Sequence, residues 1–257
     1  MKTAPMRILT IDIETSPILG YVWGLWQQNL MIDRIVEPTR MLSWVAKWYG
    51  SDEVIWASEF DHGTETMVRE IYELVNEADV VVGFNSIKFD MKHLNREFVQ
   101  LGLPVPDTYK NIDLLSTVKY NFNFPSNKLD YVAGVLLGEH KAETGGFQLW
   151  RDCLEGKKEA WEKMVEYNIQ DVIVTENLYT HLRGWIKNHP NHGLYIDDQQ
   201  APVCRNCGSE NLTNKGGEFT DTNVFRYQRY KCNDCGANMR GRDSVKGGRK
   251  KSKQVLI

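Results

Sequence analysis

Near its start the chain carries a stretch, Arg7 to Ile13 (RILTIDI), whose side chains alternate and are largely β-branched, the pattern of a strand. An aspartate stands inside it, flanked by Ile11 and Ile13, and a glutamate follows two residues later. On a strand, positions i and i+2 leave the same face, so Asp12 and Glu14 point the same way. Two neighbouring carboxylates in the middle of a sheet repel one another and lose hydration. A cation between them removes that cost.

Strand and helix patterns alternate along the rest of the chain. Strand-like runs follow around Met41–Trp48 and Glu53–Ala57. A helical pattern covers Thr64 to Glu77, with Thr64 as its cap, and Asp79–Phe84 (DVVVGF) suits a buried strand. Helical spacing returns over Met91–Leu101, ended by Gly102 and Pro104. A short strand is expected over Asn111–Leu115, a helix from Ser126 (as N-cap) to Leu137, and a last long helix from Lys158 to His181. Strands first, then alternation of helix and strand, is an α/β pattern with a mixed sheet. The polar segment Asn188–Pro202, with Pro190, Gly193 and Pro202, marks a boundary. The expected organisation is a large α/β domain over 1–190, a cysteine module over 200–239 and a flexible basic tail over 240–257.

Charge is distributed unevenly across these parts. From Ile196 onward there are 12 Lys and Arg against 7 Asp and Glu, which leaves 19 against 27 for residues 1–195. Nucleic acid would be drawn to the basic end first. No apolar run is long enough to span a bilayer, and MKTAPMRILTIDIET lacks a secretory pattern. The expectation is a cytoplasmic protein without membrane contact.

Two further elements complete a carboxylate set. In Gly83-Phe84-Asn85-Ser86-Ile87-Lys88-Phe89-Asp90, an apolar strand runs through a turn and Asp90 opens the next helix. In Tyr167-Asn168-Ile169-Gln170-Asp171-Val172, Tyr167 and Asp171 are four apart and share a helix face. Each element alone is as readily a solvent-facing pair, a helix cap or a surface contact. Taken in order, D-x-E, N-x-x-x-F-D and Y-x-x-x-D resemble the three exonuclease motifs of the DEDD superfamily of ribonuclease H-like enzymes. GFNSIKFDMKHL looks like the middle motif of the proofreading domain of family B DNA polymerases, and DIETS and YNIQDV match the others. The resemblance covers Arg7 to about Leu182. The subtype follows from one residue: five before Asp171 stands Glu166, not His, whereas four before it stands Tyr167, which resembles the DEDDy class.

The resemblance implies a ribonuclease H-like mixed sheet flanked by helices and a 3′→5′ exonuclease acting on DNA through two Mg²⁺ or Mn²⁺ ions. Asp12 would bridge the ions, Glu14 and Asp171 would hold the one carrying the attacking water, and Asp90 would support the other partly through water. Tyr167 would orient that water, since a phenol with an ordinary pKa of about 10 is a poor base at neutral pH. Thr15 and Asn85 would lie against the terminal nucleotide, Lys128 against a phosphate or solvent, and Phe89 in the core. The substrate implied is a single-stranded or frayed 3′ end, with RNA trimming as the alternative and a non-catalytic nucleic-acid-binding or docking protein as the reading from another class. Compact nucleases without polymerase motifs are common in bacteriophages, so a phage-encoded protein in the host cytoplasm is one expectation.

The cysteine module reads on spacing alone. Cys204-Arg-Asn-Cys207-Gly and Cys232-Asn-Asp-Cys235-Gly are two knuckles separated by a hairpin's length. Two C-x-x-C pairs give a closed tetrathiolate, which suits one structural Zn²⁺ and resembles a zinc ribbon. Cys153 fits neither pair. Between the knuckles, Phe225-Arg226-Tyr227-Gln228-Arg229-Tyr230-Lys231 alternates aromatic and basic residues, so Arg226 and Arg229 are candidate phosphate contacts. Arg240, Arg242, Lys246, Arg249, Lys250, Lys251 and Lys253 extend the basic surface. The module is expected to hold nucleic acid, with docking to a replication or repair protein as the alternative.

Overall fold

The computed structural model describes residues 6–26, 29–139, 145–196 and 201–245. Its strands are β1 (Ile8–Thr15), β2 (Leu19–Gly20), β3 (Ile35–Glu37), β4 (Met41–Trp48), β5 (Val54–Ser58), β6 (Val80–Gly83) and β7 (Lys110–Asp113), then β8 (Leu212–Asp221), β9 (Arg226–Cys232) and β10 (Asn238–Ser244). The helices are α1 (Glu59–His62), α2 (Thr64–Glu77), α3 (Asp90–Gln100), α4 (Leu114–Asn121), α5 (Leu129–Leu137), α6 (Gln148–Leu154) and α7 (Lys158–Leu182). Among the described residues no helix is long and apolar enough to cross a membrane. Chain contacts divide the described residues into two units, Arg7–Leu178 and Tyr179 onward together with Met6.

The first unit is built on a five-stranded mixed sheet, in the order β5-β4-β1-β6-β7. β1 lies at its centre, antiparallel to β4 and parallel to β6. Its alternation sorts two chemistries onto two faces. Leu9, Ile11 and Ile13 are buried in one cluster with Trp44, Met67, Ile71, Val75, Leu94 and Phe98, which places α2 and α3 over that face. The indole of Trp44 donates to the carbonyl of Met67 at 2.7 Å and fixes the layer. Asp12 and Glu14 leave the opposite face, where α7 lies: Asn168 of α7 donates to Asp12, and Lys47 of β4 pairs with Glu176 at 2.5 Å. Near the start of α7, Leu42 of β4 shares a second apolar cluster with Leu149, Cys153, Ala160, Trp161 and Met164. The mixed α/β architecture is the one expected from the sequence.

Local differences have local causes. Asn111–Leu115 is not all strand: β7 stops at Asp113, whose carboxylate accepts from the amides of Leu115 and Ser116 and starts α4. Ser126 is not the cap of α5. That position falls to Lys128, and the Ser126 hydroxyl accepts from the Lys128 amide instead. α2 is preceded by Gly63, so Thr64 is its first residue and not its cap. Helices α4 and α6 were not anticipated.

The second unit begins within the last turn of α7, upstream of the Asn188–Pro202 boundary. Tyr179 is fully buried there and its hydroxyl meets His189 Nε2 at 2.7 Å. Arg183 Nε donates to the carbonyl of Asn206 at 2.6 Å, and the Asn206 amide returns a bond to the carbonyl of Arg183 at 2.8 Å. The first knuckle is thus keyed to the end of the helix. The second touches the same place, because a Cβ on Gly184 would lie 2.0 Å from the carbonyl oxygen of Cys235. Strands β10-β9-β8 form a separate antiparallel sheet. β10 runs to Ser244, so residues 240–244 belong to it and the tail cannot begin at 240. Lys246, Arg249, Lys250, Lys251 and Lys253 lie outside the described residues.

Gly184→Ala should therefore dislodge the second knuckle. Overpacking against backbone costs about 1–3 kcal/mol or more, read as a lower urea midpoint than wild type. An unchanged midpoint would contradict the close approach.

Candidate metal centres

Asp12, Glu14 and Asp171 each offer a carboxylate oxygen, and these oxygens lie within 4.8 Å of one another. Two come from the central strand and one from α7, so the group exists only once the helix lies across the sheet. Asp171 is buried and the other two are half-buried. Three like charges at that spacing, with solvent partly excluded, favour a hard divalent cation with oxygen ligands. The ladder between β1 and β4 shifts register between Glu14 and Thr15, at the point where the strand must present its carboxylates.

Asn168 completes the join. It stands one turn before Asp171 on the same helix face, is fully buried, and donates through Nδ2 to Asp12 Oδ2 at 2.5 Å. Its own Oδ1 has no hydrogen-bond partner among the described residues. In the sequence YNIQDV this residue is an ordinary polar position with no evident role. Its signal was the i, i+3 spacing to Asp171. Tyr167, its neighbour, is half-buried on α7, four residues before Asp171.

Asp90 is the first residue of α3 and is not one of the three clustered carboxylates. Its Oδ1 accepts from the amide of Ile13 at 3.1 Å, in the peptide that joins Asp12 to Ile13. β6 pairs with β1 only as far as Thr10, and Asp90 takes up a β1 amide beyond that point. Burial pushes its carboxyl up to about 7, with the nearby charge of Asp113 adding to the rise, while amide hydrogen bonds from Asp90 and Ile13 work against it.

The turn leading to Asp90 is tightly held. Gly83 passes so close to Ser86 that a Cβ would lie 2.6 Å from the serine Cβ. Asn85 takes a left-handed conformation, φ 68°, and its amide donates to Asp113 Oδ1 at 3.0 Å. Ser86 donates to Asn111 at 3.1 Å. Asp113 thus braces the turn and starts α4 with one carboxylate, a role hidden while NIDLL read as strand. Thr15 sits at the register shift of β1, half-buried, and Lys128 is exposed ahead of α5. Phe89 is not core: it is 37% exposed, with its ring beside His93.

The second cluster consists of Cys204, Cys207, Cys232 and Cys235, whose sulfurs lie within 4.8 Å of one another. None forms a disulfide. Sulfurs of Cys204 and Cys235 are 3.5 Å apart, and those of Cys207 and Cys232 3.6 Å. Four sulfurs at about 2.3 Å from a zinc ion stand about 3.8 Å apart at tetrahedral corners, so the set fits. Each knuckle closes with an amide bond to the first cysteine's carbonyl, from Gly208 at 2.8 Å and Gly236 at 3.1 Å. Cys153 is fully within the apolar cluster, and burial pushes its thiol up to about 11.

Arg226 and Arg229 both have acidic partners. Arg226 grips Asp221 on β8 with two bonds, at 2.8 and 3.1 Å, and Arg229 meets Glu218 at 3.4 Å. These are half-exposed pairs screened by solvent, so a phosphate would exchange one anion for another. Arg240 lies over the ring of Tyr227 at 4.0 Å.

The sequence model of the RNase_H_2 family, described as RNase_H superfamily, matches residues 43–183. That span includes Asp90, Tyr167 and Asp171 and begins after Asp12 and Glu14. No curated protein matches the chain. Among solved structures, the family B DNA polymerase of the hyperthermophilic archaeon Pyrobaculum calidifontis is similar, with a TM-score of 0.54 at 19% identity. The match covers 69% of this chain and 24% of the polymerase, so this chain spans about a quarter of that protein and the likeness is one of fold.

Asp90 sets a pH dependence. Its folded-state pKa stands above the unfolded value of about 4, so the folded protein binds this proton more tightly. Metal-free stability should fall as pH rises from about 4 to about 7, by roughly 1–4 kcal/mol. Asp90→Asn should flatten that slope in urea denaturation with EDTA. Parallel slopes for the two proteins would refute it.

Proposed function

We propose that this chain, which belongs to the RNase H superfamily, is a metal-dependent 3′→5′ exonuclease of the DEDDy type that degrades DNA from single-stranded or frayed ends. The observation that carries this reading is the convergence of Asp12, Glu14 and Asp171 within 4.8 Å. Asp12, Glu14, Asp171 and Asp90 would hold two Mg²⁺ or Mn²⁺ ions, with Asp12 shared. Bound there, such ions neutralise charge on the phosphate and acidify a water. The chain's own residues do the positioning. Asn168 fixes the rotamer of Asp12, and the Ile13 amide fixes Asp90. Tyr167 directs the attacking water through its hydroxyl, while Thr15 and Asn85 border the terminal nucleotide.

DNA as substrate, in preference to RNA, rests on the likeness of GFNSIKFD to proofreading domains. The tetrathiolate would hold one structural Zn²⁺, and the ribbon around it would hold nucleic acid through Arg226, Arg229, Arg240 and Arg242, with Lys128 as a further phosphate contact.

Purified Asp12→Ala and Asp171→Ala proteins should lose Mg²⁺-dependent degradation of 5′-labelled DNA by a factor of at least about 10³. Tyr167→Phe should slow single-turnover cleavage roughly 10- to 100-fold with little change in substrate binding. Normal degradation by Asp12→Ala would sink the reading, and faster loss of RNA than DNA would move it to an exoribonuclease.

Mercurial displacement of the thiols should release one zinc per chain, measured with a chromogenic chelator. Cys204→Ser should release none. Absence of zinc from wild-type protein would remove the structural-zinc assignment.

A further inference from the structure

Directly after Thr15 the chain leaves the sheet in a long excursion that returns at Met41 as β4. Its base is clamped. The Ser16 amide donates to the Arg40 carbonyl at 2.9 Å, the Arg40 amide to the Ser16 hydroxyl at 3.0 Å, and the Thr39 hydroxyl to the Ser16 carbonyl at 2.6 Å. Further out, β2 and β3 pair antiparallel and the Tyr21 amide reaches the Arg34 carbonyl at 3.0 Å. Gly20 allows this approach, since a Cβ there would lie 2.9 Å from that carbonyl.

The outer part breaks the usual rule for surfaces. Tyr21 is 75% exposed, Trp23 85%, Leu25 89% and Trp26 83%. Between Ser16 and Met31 the sequence holds no charged residue. Large rings gathered on one exposed segment mark a binding surface.

Two observations select the occupant. The excursion springs from the strand end that carries Asp12 and Glu14, so its base adjoins the carboxylates. The body around it is acidic, with 27 Asp and Glu against 19 Lys and Arg over residues 1–195. Phosphates therefore gain little attraction from that body, whereas flat uncharged rings stack on nucleobases whatever their sequence. A lipid surface would call for basic residues among the rings, and there are none.

We infer that Tyr21, Trp23 and Trp26 form the platform of a base-stacking finger, which holds the unpaired nucleotides of a single strand next to the carboxylates. The placement of the strand's end rests on the exonuclease reading above; the stacking surface does not.

The test uses the full-length protein and a fluorescein-labelled thymidine-rich DNA 12-mer. Binding is measured in EDTA by anisotropy, with the same length of blunt duplex alongside. Both rings are more than four-fifths exposed, so Trp23→Ala/Trp26→Ala should melt at the wild-type temperature. Its affinity for the single strand should fall roughly tenfold or more, with a much smaller change for the duplex, and Trp23→Phe/Trp26→Phe should recover most of the loss. Single-strand affinity equal to wild type overturns the finger. If that result comes with a shift from dimer to monomer in sedimentation, the surface belongs to self-association. Adding Mg²⁺ to wild type separates the two claims. Loss of affinity in the variant without wild-type cleavage keeps the finger and rejects the nuclease, whereas wild-type cleavage with full variant affinity does the reverse.

Discussion

Mutual repulsion among Asp12, Glu14 and Asp171 is the constraint around which the unit Arg7–Leu178 is arranged. Their oxygens approach within 4.8 Å, where solvent is partly excluded. Such a group opposes folding unless something compensates it, and the surroundings supply a part: an amide from Asn168 reaches Asp12, while Asp90, outside the group, accepts the Ile13 amide and has a raised pKa. A divalent cation bound there would complete the compensation. A protein that accepts this cost concentrates its chemistry where its fold is least comfortable.

The sheet order makes the cost bearable. β1 is central and its buried face is purely aliphatic, so the strand is held by Leu9, Ile11 and Ile13 against α2 and α3 while its other face stays polar. α7 then crosses that polar face and is tied down by Asn168 to Asp12 and Glu176 to Lys47. Asp113 does a similar service for the third element, holding Asn85 in its left-handed turn so that Asp90 arrives beside Ile13.

Much of this is legible in the residues. The period-2 alternation of RILTIDI, the apolar DVVVGF run and the helical spacing around Tyr167 and Asp171 each reflect burial on one side, and burial is what sequence patterns encode. The C-x-x-C spacing is equally plain because ligand geometry fixes it. What escaped depends on partners distant in sequence. Asn168 reads as an ordinary polar residue until Asp12 is placed opposite it. NIDLL alternates well enough to pass for a strand, and only the amides of Leu115 and Ser116 reveal Asp113 as a helix start. Arg226 and Arg229 read as unpartnered cations until the β8–β9 register sets Asp221 and Glu218 against them. The rings of Tyr21, Trp23 and Trp26 carry no mark of exposure, since composition alone cannot separate a core aromatic from one left outside.

The central claim is that the three carboxylates form a divalent-metal centre. Crystals grown with millimolar Mn²⁺, examined by anomalous scattering at the manganese edge, test it without relying on turnover. The account predicts a strong peak within coordination distance of Asp12, Glu14 and Asp171, lost in Asp12→Asn. Well-ordered carboxylates with no anomalous peak between them would contradict it.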